Sequence, residues 1–174
     1  MSEIANKFIE KHSDFKVGIA VSKSVDKNYI VNYLKEHKFK FELFDDSYQL
    51  MKIAKVGIVK TGTSNLEAAL SGMPFVMLYQ TSAVSYFLGK RLVNMPYISL
   101  VNILSNDFVV KEFIQTFKVN EVANELSDII TNRDKYDSLQ DSFRKIKRNL
   151  GSVGASDNSA KAIIEYLKIN LATS

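Results

Sequence analysis

The segment Val59-Lys60-Thr61-Gly62-Thr63-Ser64-Asn65-Leu66-Glu67 carries the residue types of a site for an anion and a sugar. An apolar run ends, a glycine turn follows and a helical pattern begins, so free amide groups and the positive end of a helix dipole meet at the turn. Gly62 lets a phosphate come close to the backbone, and Thr61, Thr63 and Ser64 add hydroxyl donors. Glu67 lies about one turn into the helix, where a carboxylate suits the two hydroxyls of a sugar diol. Ser64-x-x-Glu67 is also the spacing of a capping box, in which the serine caps the helix and the glutamate returns to the serine amide. Pattern alone leaves both readings open. Charge favours an anionic ligand: between Asp46 and Asp107 the one acidic residue is Glu67, while Lys52, Lys55, Lys60, Lys90 and Arg91 share that stretch.

Further candidates stand beside this segment. Lys90 and Arg91 fall on a helical pattern whose apolar positions are Val84, Phe87, Leu88 and Leu92. They read either as a solvated basic face or as contacts for phosphate or an anionic membrane surface. Asn102 follows Tyr97-Ile98-Ser99 and is expected near the sheet edge that holds Glu67, or as a turn or capping asparagine. Arg144, Lys145, Lys147 and Arg148 share a helix with Asp137 and Asp141 and read as an exposed face laced by pairs three or four apart. Neither the dinucleotide fingerprint G-x-G-x-x-G nor the P-loop G-x-x-x-x-G-K-[ST] occurs. With no Cys, and with His12 and His37 on polar stretches, the chain offers no disulfide framework, no thiolate cluster and no evident scaffold for a His metal site or a Ser-His triad. No metal and no cofactor are expected.

The elements that must position these residues follow from periodicity. Lys16 to Val21, Lys40 to Phe44, Val56 to Val59 and Phe75 to Tyr79 read as buried strands, with a brief further strand at Tyr97-Ile98-Ser99. Helical patterns run over Asp26 to Glu36, with Tyr29, Ile30, Tyr33 and Leu34 on one face, then Ser47 to Ala54, Asn65 to Ser71 and Ser82 to Val93. Gly72 is placed to end the third of these, with Pro74 just beyond. From Lys111 the pattern is wholly helical: Val119 to Thr131, Arg133 to Leu150 and Ala155 to Leu171. Strands alternating with helices predict an α/β fold, a doubly wound and mainly parallel sheet over residues 1–110, with a helical C-terminal tail over 111–174. The chain reads as a single domain, without repeats or linkers. Its 174 residues, 46% hydrophobic and 24% charged, exclude disorder as the main state. A net charge of +4 is too mild to argue for a nucleic-acid partner. No apolar run approaches the 18 or so residues that cross a bilayer, and no signal peptide is expected.

Thr61-Gly62-Thr63-Ser64-Asn65-Leu66-Glu67-Ala68-Ala69-Leu70, then Gly72-Met73-Pro74-Phe75-Val76 and Tyr79, resembles the nucleotide-binding segment of GT-B glycosyltransferases. Ser85-Tyr86-Phe87-Leu88-Gly89-Lys90-Arg91-Leu92-Val93, followed by Pro96-Tyr97-Ile98-Ser99-Leu100 and Asn102-Ile103-Leu104, is more specific and resembles the lipid-A-disaccharide synthases. The resemblance is strongest from Val56 to Glu112. It implies the Rossmann-like half of a GT-B fold and an inverting, metal-independent hexosyltransferase of lipid A biosynthesis in a Gram-negative bacterium. Such an enzyme moves diacylglucosamine from UDP-2,3-diacylglucosamine to 2,3-diacylglucosamine 1-phosphate and releases UDP. By the same resemblance Glu67 holds the UDP ribose, Gly62, Thr63 and Ser64 face the nucleotide sugar, Asn102 belongs to the same cleft, and Arg91 with Lys90 meets the acceptor phosphate or the membrane.

Several positions depart from the family pattern. Val101 stands where a proline is usual, Gln80 where a basic residue is usual, and Ser105-Asn106-Asp107-Phe108 replaces an Ala-Gly-Arg-Glu-like segment. Family members are roughly twice this length as two-domain proteins. The chain therefore resembles their C-terminal half, beginning after the family's Gly-Ser-Arg loop, with the general base and the acceptor domain expected in an absent N-terminal half. The expected setting is cytoplasmic and peripheral to the inner membrane. Expected partners are the two lipid substrates, a separate N-terminal half and a second copy in a homo-oligomer. Two other readings remain open: another GT-B enzyme using UDP-N-acetylglucosamine, such as the peptidoglycan transferase or the 2-epimerase, and a noncatalytic remnant whose helical tail makes a dimer.

Overall fold

The computed structural model describes residues 1–37, 39–82, 96–151 and 154–172. The predicted helix from Ser82 to Val93, with Lys90 and Arg91, lies outside the described residues but for its first. The described elements run α1 (Ser2–Lys11), β1 (Val17–Ala20), α2 (Lys27–Leu34), β2 (Phe41–Phe44), α3 (Ser47–Ile53), β3 (Gly57–Lys60), α4 (Thr63–Ser71), β4 (Phe75–Tyr79), α5 (Leu100–Ser105), β5 (Glu112–Ile114), α6 (Val119–Thr131), α7 (Arg133–Asn149) and α8 (Ala155–Ala172).

Every strand pair is parallel, as the alternating pattern predicts, and the C-terminal region is helical. The strands form two pieces, a β1-β2 pair and a three-stranded β3-β4-β5 sheet. Helix α3 bridges them, touching β1, β2 and α4. Two expectations are corrected. Tyr97 to Ser99 is not a strand but the approach to α5, because the Ile98 and Ser99 amides turn to a carboxylate instead of a neighbouring strand. The helical region begins later than Lys111, because Glu112–Ile114 pairs with Met77 to Tyr79 and completes the sheet.

The core is centred on β4, where Phe75, Val76 and Met77 are fully buried. Each such side chain contributes about 1.5–3 kcal/mol on leaving water. Helices α6 and α7 supply Val122, Leu126, Ile129, Leu139, Phe143 and Ile146, at three- and four-residue spacings that bury one stripe of each helix. The Phe143 ring stacks on Phe75 at 6.0 Å between centroids. Helix α1 lies along α6, held by Ile4 and Phe8 and by a 2.9 Å hydrogen bond between His12 and Ser127. His37 meets Asn6 at 2.9 Å, so both histidines make tertiary ties. Helix α2 buries Leu34, while Tyr29 and Tyr33 of its expected apolar face are exposed. On α8, Ile163, Ile164, Tyr166 and Leu167 are exposed, and no described helix is long and apolar enough to cross a membrane.

The hairpin of α6 and α7 is pinned by charge. Lys135 Nζ lies 2.5 Å from Glu125 and 2.8 Å from Asp128, and Lys111 reaches Glu125 at 3.3 Å. The hydrogen bond from Lys135, then its charge, holds the Asp128 carboxyl below the ordinary value, against a burial effect that raises it. Burial lowers Lys135, but the bonds and charges of Asp128 and Glu125 outweigh it and leave the ammonium above the ordinary lysine value. A depressed carboxyl stabilises the fold above its unfolded pKa and loses that effect as pH falls; a raised ammonium loses it as pH rises. The stability advantage of wild type over Lys135→Met is therefore expected to be flat through neutral pH. It narrows as pH falls below about 4 and as it rises past about 10.5, the ordinary values of the two groups. Thermal unfolding of both proteins across pH checks this, and a gap that changes between pH 6 and 9, well inside those ordinary values, would contradict it.

Candidate functional site

In an open parallel sheet, ligands sit beyond the carboxyl ends of the strands. At that edge β3 ends at Lys60 beside Leu78 of β4, and β4 ends at Tyr79 beside Ile114 of β5. The chain leaves β3 through Thr61 and Gly62 and enters α4 at Thr63, two residues earlier than periodicity predicts. Gly62 sets that start. Its φ of 123° and ψ of −165° belong to a region essentially confined to glycine. It is exposed, as is Thr63, and a Cβ built on it would meet nothing within 4 Å. Gly72 ends the helix as expected, at φ 80°. Its carbonyl accepts a 2.7 Å bond from Gln140 of α7.

The turn is tied from beneath. Asn65, fully buried, donates its Nδ2 to the Lys60 carbonyl at 2.5 Å, and its own amide donates to the Gly62 carbonyl at 3.2 Å. Its Oδ1 is buried with no hydrogen-bond partner. Three other helix N-termini are closed by acidic or amide side chains. Asp26 accepts from the Asn28 amide, Asp46 from Tyr48 and Gln49, and Asn132 from Lys135. Among the described residues no side chain caps α4.

The capping-box reading of Ser64 and Glu67 is therefore not the one formed: Ser64 lies inside the helix, and its amide donates no hydrogen bond to the Glu67 carboxylate. Glu67 is half-buried and, among the described residues, has neither a hydrogen bond nor an ion pair. Gly62, Thr63, Ser64 and Glu67 thus stand together on one exposed turn and the helical turn that follows it. Asn102 is placed differently. Its helix α5 packs on α4, but the side chain is fully buried. Both Nδ2 protons are spent, on the Val110 carbonyl and on Glu112, each at 2.8 Å, and Oδ1 accepts from the Val110 amide at 2.8 Å. It braces the stretch between α5 and β5. Lys90 and Arg91 lie outside the described residues. The basic face of α7 is exposed, with Arg144 paired to Asp141 and Arg133 paired to Asp137.

Gln115 and Asn65 matter to this edge and Glu112 to the entry of β5, although composition and spacing single out none of them. The Glu112 carboxylate accepts from the Ile98 amide at 3.0 Å, the Ser99 amide at 2.8 Å and Asn102, and so closes the start of α5. Lys111-Glu112-Phe113-Ile114, in which paired charges run into an apolar pair, is the weak strand signal that marks it. A cavity of about 280 Å³, lined by Phe75, Lys111, Glu125, Lys135 and Ser138, lies at the opposite, amino end of β4 and β5, where the lysines are already paired.

A family model described as lipid-A-disaccharide synthetase matches residues 1–164. The lipid-A-disaccharide synthase of Sulfurihydrogenibium sp. (strain YO3AOP1) is 34% identical over 131 residues, which are 74% of this chain and 33% of that protein. That of Aquifex aeolicus (strain VF5) is 51% identical over 69 residues, 40% of this chain and 19% of that protein. That of Nitrosococcus oceani is 27% identical over 168 residues, 95% of this chain and 43% of that protein. The chain spans about a third of the length of the relatives it matches.

Proposed function

The chain belongs to the lipid-A-disaccharide synthetase family, and on that premise we propose that it is the donor-binding half of a glycosyltransferase of lipid A biosynthesis. The reaction moves diacylglucosamine from UDP-2,3-diacylglucosamine to 2,3-diacylglucosamine 1-phosphate with release of UDP. The observation that carries this reading is the pairing of an exposed α4 start at Gly62 and Thr63 with a Glu67 carboxylate, neither capped nor paired among the described residues.

The chemistry follows from those groups. The diphosphate lies against the amides at the start of α4, where the helix dipole and the Thr63 and Ser64 hydroxyls balance its charge. Glu67 accepts hydrogen bonds from the ribose hydroxyls. UDP is the leaving group, and positive charge held at its phosphates stabilises the bond-breaking state without a metal. Attack by the acceptor hydroxyl on the anomeric carbon from the opposite face inverts it, and a base near that hydroxyl removes the proton. That base, and most of the acceptor site, is assigned to a separate N-terminal half. Lys90 and Arg91 are assigned to the acceptor phosphate or the membrane surface, with peripheral contact at the inner leaflet. Asn102 serves the fold, through its bonds to Val110 and Glu112 at the entry of β5, and is not assigned a contact with the nucleotide.

Donor and acceptor must be held together for transfer, so the isolated chain is expected to bind UDP weakly and to transfer nothing. The test uses radiolabelled donor with the chain plus an N-terminal half. Product with 2,3-diacylglucosamine 1-phosphate, and none with monoacyl or polyprenyl acceptors, is the expected result. Transfer to a polyprenyl acceptor, or none with any acceptor, would sink the reading.

A further inference from the structure

At the carboxyl edge of β5 the chain adopts a conformation that costs energy. Gln115 has φ 58°, and the Thr116 amide donates to the Ile114 carbonyl at 2.7 Å, closing a three-residue turn about it of the rarer, strained hand. A non-glycine residue at positive φ persists where its surroundings over-determine it, and such residues cluster at ligand sites. Here the surroundings are the exit of β4. The Gln115 amide donates to the Tyr79 carbonyl at 2.8 Å. Its side chain then grips both backbone groups of Thr81: Oε1 accepts from the Thr81 amide at 2.7 Å, and Nε2 donates to the Thr81 carbonyl at 3.1 Å. Gln80 answers by donating to the Gln115 carbonyl at 3.1 Å. Because Lys60 pairs with Leu78, Gly62 and Gln80 each lie two residues beyond that pair, so the clamped segment leaves the sheet beside the Gly62 turn.

We infer that Gln115 is a positioning residue for the donor site, fixing the backbone of Thr81 as the rim of the cleft next to the Gly62 turn. This role rests on the donor-site reading above. Gln115 touches no ligand; it presets the rim, so that binding does not have to order it. Gln115→Gly separates the clamp from the fold, because glycine accepts φ 58° without strain while losing the side chain. Gln115→Glu keeps the acceptor for the Thr81 amide but sets an oxygen against the Thr81 carbonyl.

The experiment measures thermal unfolding, amide hydrogen exchange at Thr81 and UDP affinity by calorimetry for wild type and both variants. The expected result is unfolding within a few degrees of wild type, Thr81 exchange at least tenfold faster and UDP binding about fivefold to tenfold weaker in both variants, in line with loss of preorganisation. A wild-type chain that binds UDP, with variants that match it in affinity and Thr81 exchange, overturns this role alone. A folded wild type that binds no UDP overturns the donor-site reading and this role with it. Loss of folding in Gln115→Gly also overturns it, since the residue would then serve the fold and not the rim.

Discussion

Gly62→Ala lowers stability and UDP affinity together. The backbone at Gly62, φ 123° and ψ −165°, is one that a Cβ makes strained, at a cost of about 1–3 kcal/mol. In a domain of this length that is a fall in Tm of roughly 2–12 °C. Crowding within the fold is not the cause, since an added Cβ meets no atom within 4 Å. Relief of the strain instead redirects the turn and the first amides of α4, and the new methyl occupies the space that the proposed diphosphate site requires. UDP affinity is expected to fall at least tenfold, about 1.4 kcal/mol. Calorimetry and thermal unfolding of the one variant read both effects, and an unchanged affinity would move the phosphate elsewhere.

Asn102→Leu is expected to cost more stability than Gly62→Ala. It removes three hydrogen bonds of 2.8 Å and leaves the Val110 amide and carbonyl unpaired. Each buried group left without a partner costs about 1–3 kcal/mol, so a loss of about 3–5 kcal/mol is expected. Asn102→Asp is hardly better, since it keeps the acceptor for the Val110 amide but turns a carboxylate toward Glu112. A direct nucleotide contact would behave in the opposite way, with Tm near wild type and affinity lost. Thermal unfolding separates the two roles: a variant as stable as wild type would refute the brace.

The sequence makes the strands legible where they are buried on both faces. Phe75 to Tyr79 is one apolar run, and its limits match the observed strand. The last helices are legible because one stripe of each repeats at helical spacing. What is lost is whatever depends on a distant partner. β5 is three residues long and begins with a charge, so only its pairing with Met77 to Tyr79 reveals it. The separation of β1-β2 from β3-β4-β5 is likewise a matter of pairing, which no local pattern carries. At the candidate site, Gly62, Thr63, Ser64 and Glu67 were readable because a strand, a glycine turn and a helix lie together in sequence. The choice between a capping box and a free carboxylate was not readable, since it turns on one backbone conformation at Gly62. The work of Asn102 was hidden for the same reason, because its partners lie eight and ten residues away.

The most direct test of a donor half is calorimetry of UDP against the folded chain and against Glu67→Ala. Glu67 has no partner within the described fold, so its loss leaves nothing unpaired and Tm is expected to stay near wild type. A carboxylate accepting the ribose hydroxyls is worth about 1.5–3 kcal/mol. Measurable UDP binding by wild type, weakened at least tenfold in Glu67→Ala, is the predicted result. A folded wild-type chain that binds no UDP, or a Glu67→Ala variant that binds as tightly as wild type, would contradict the account.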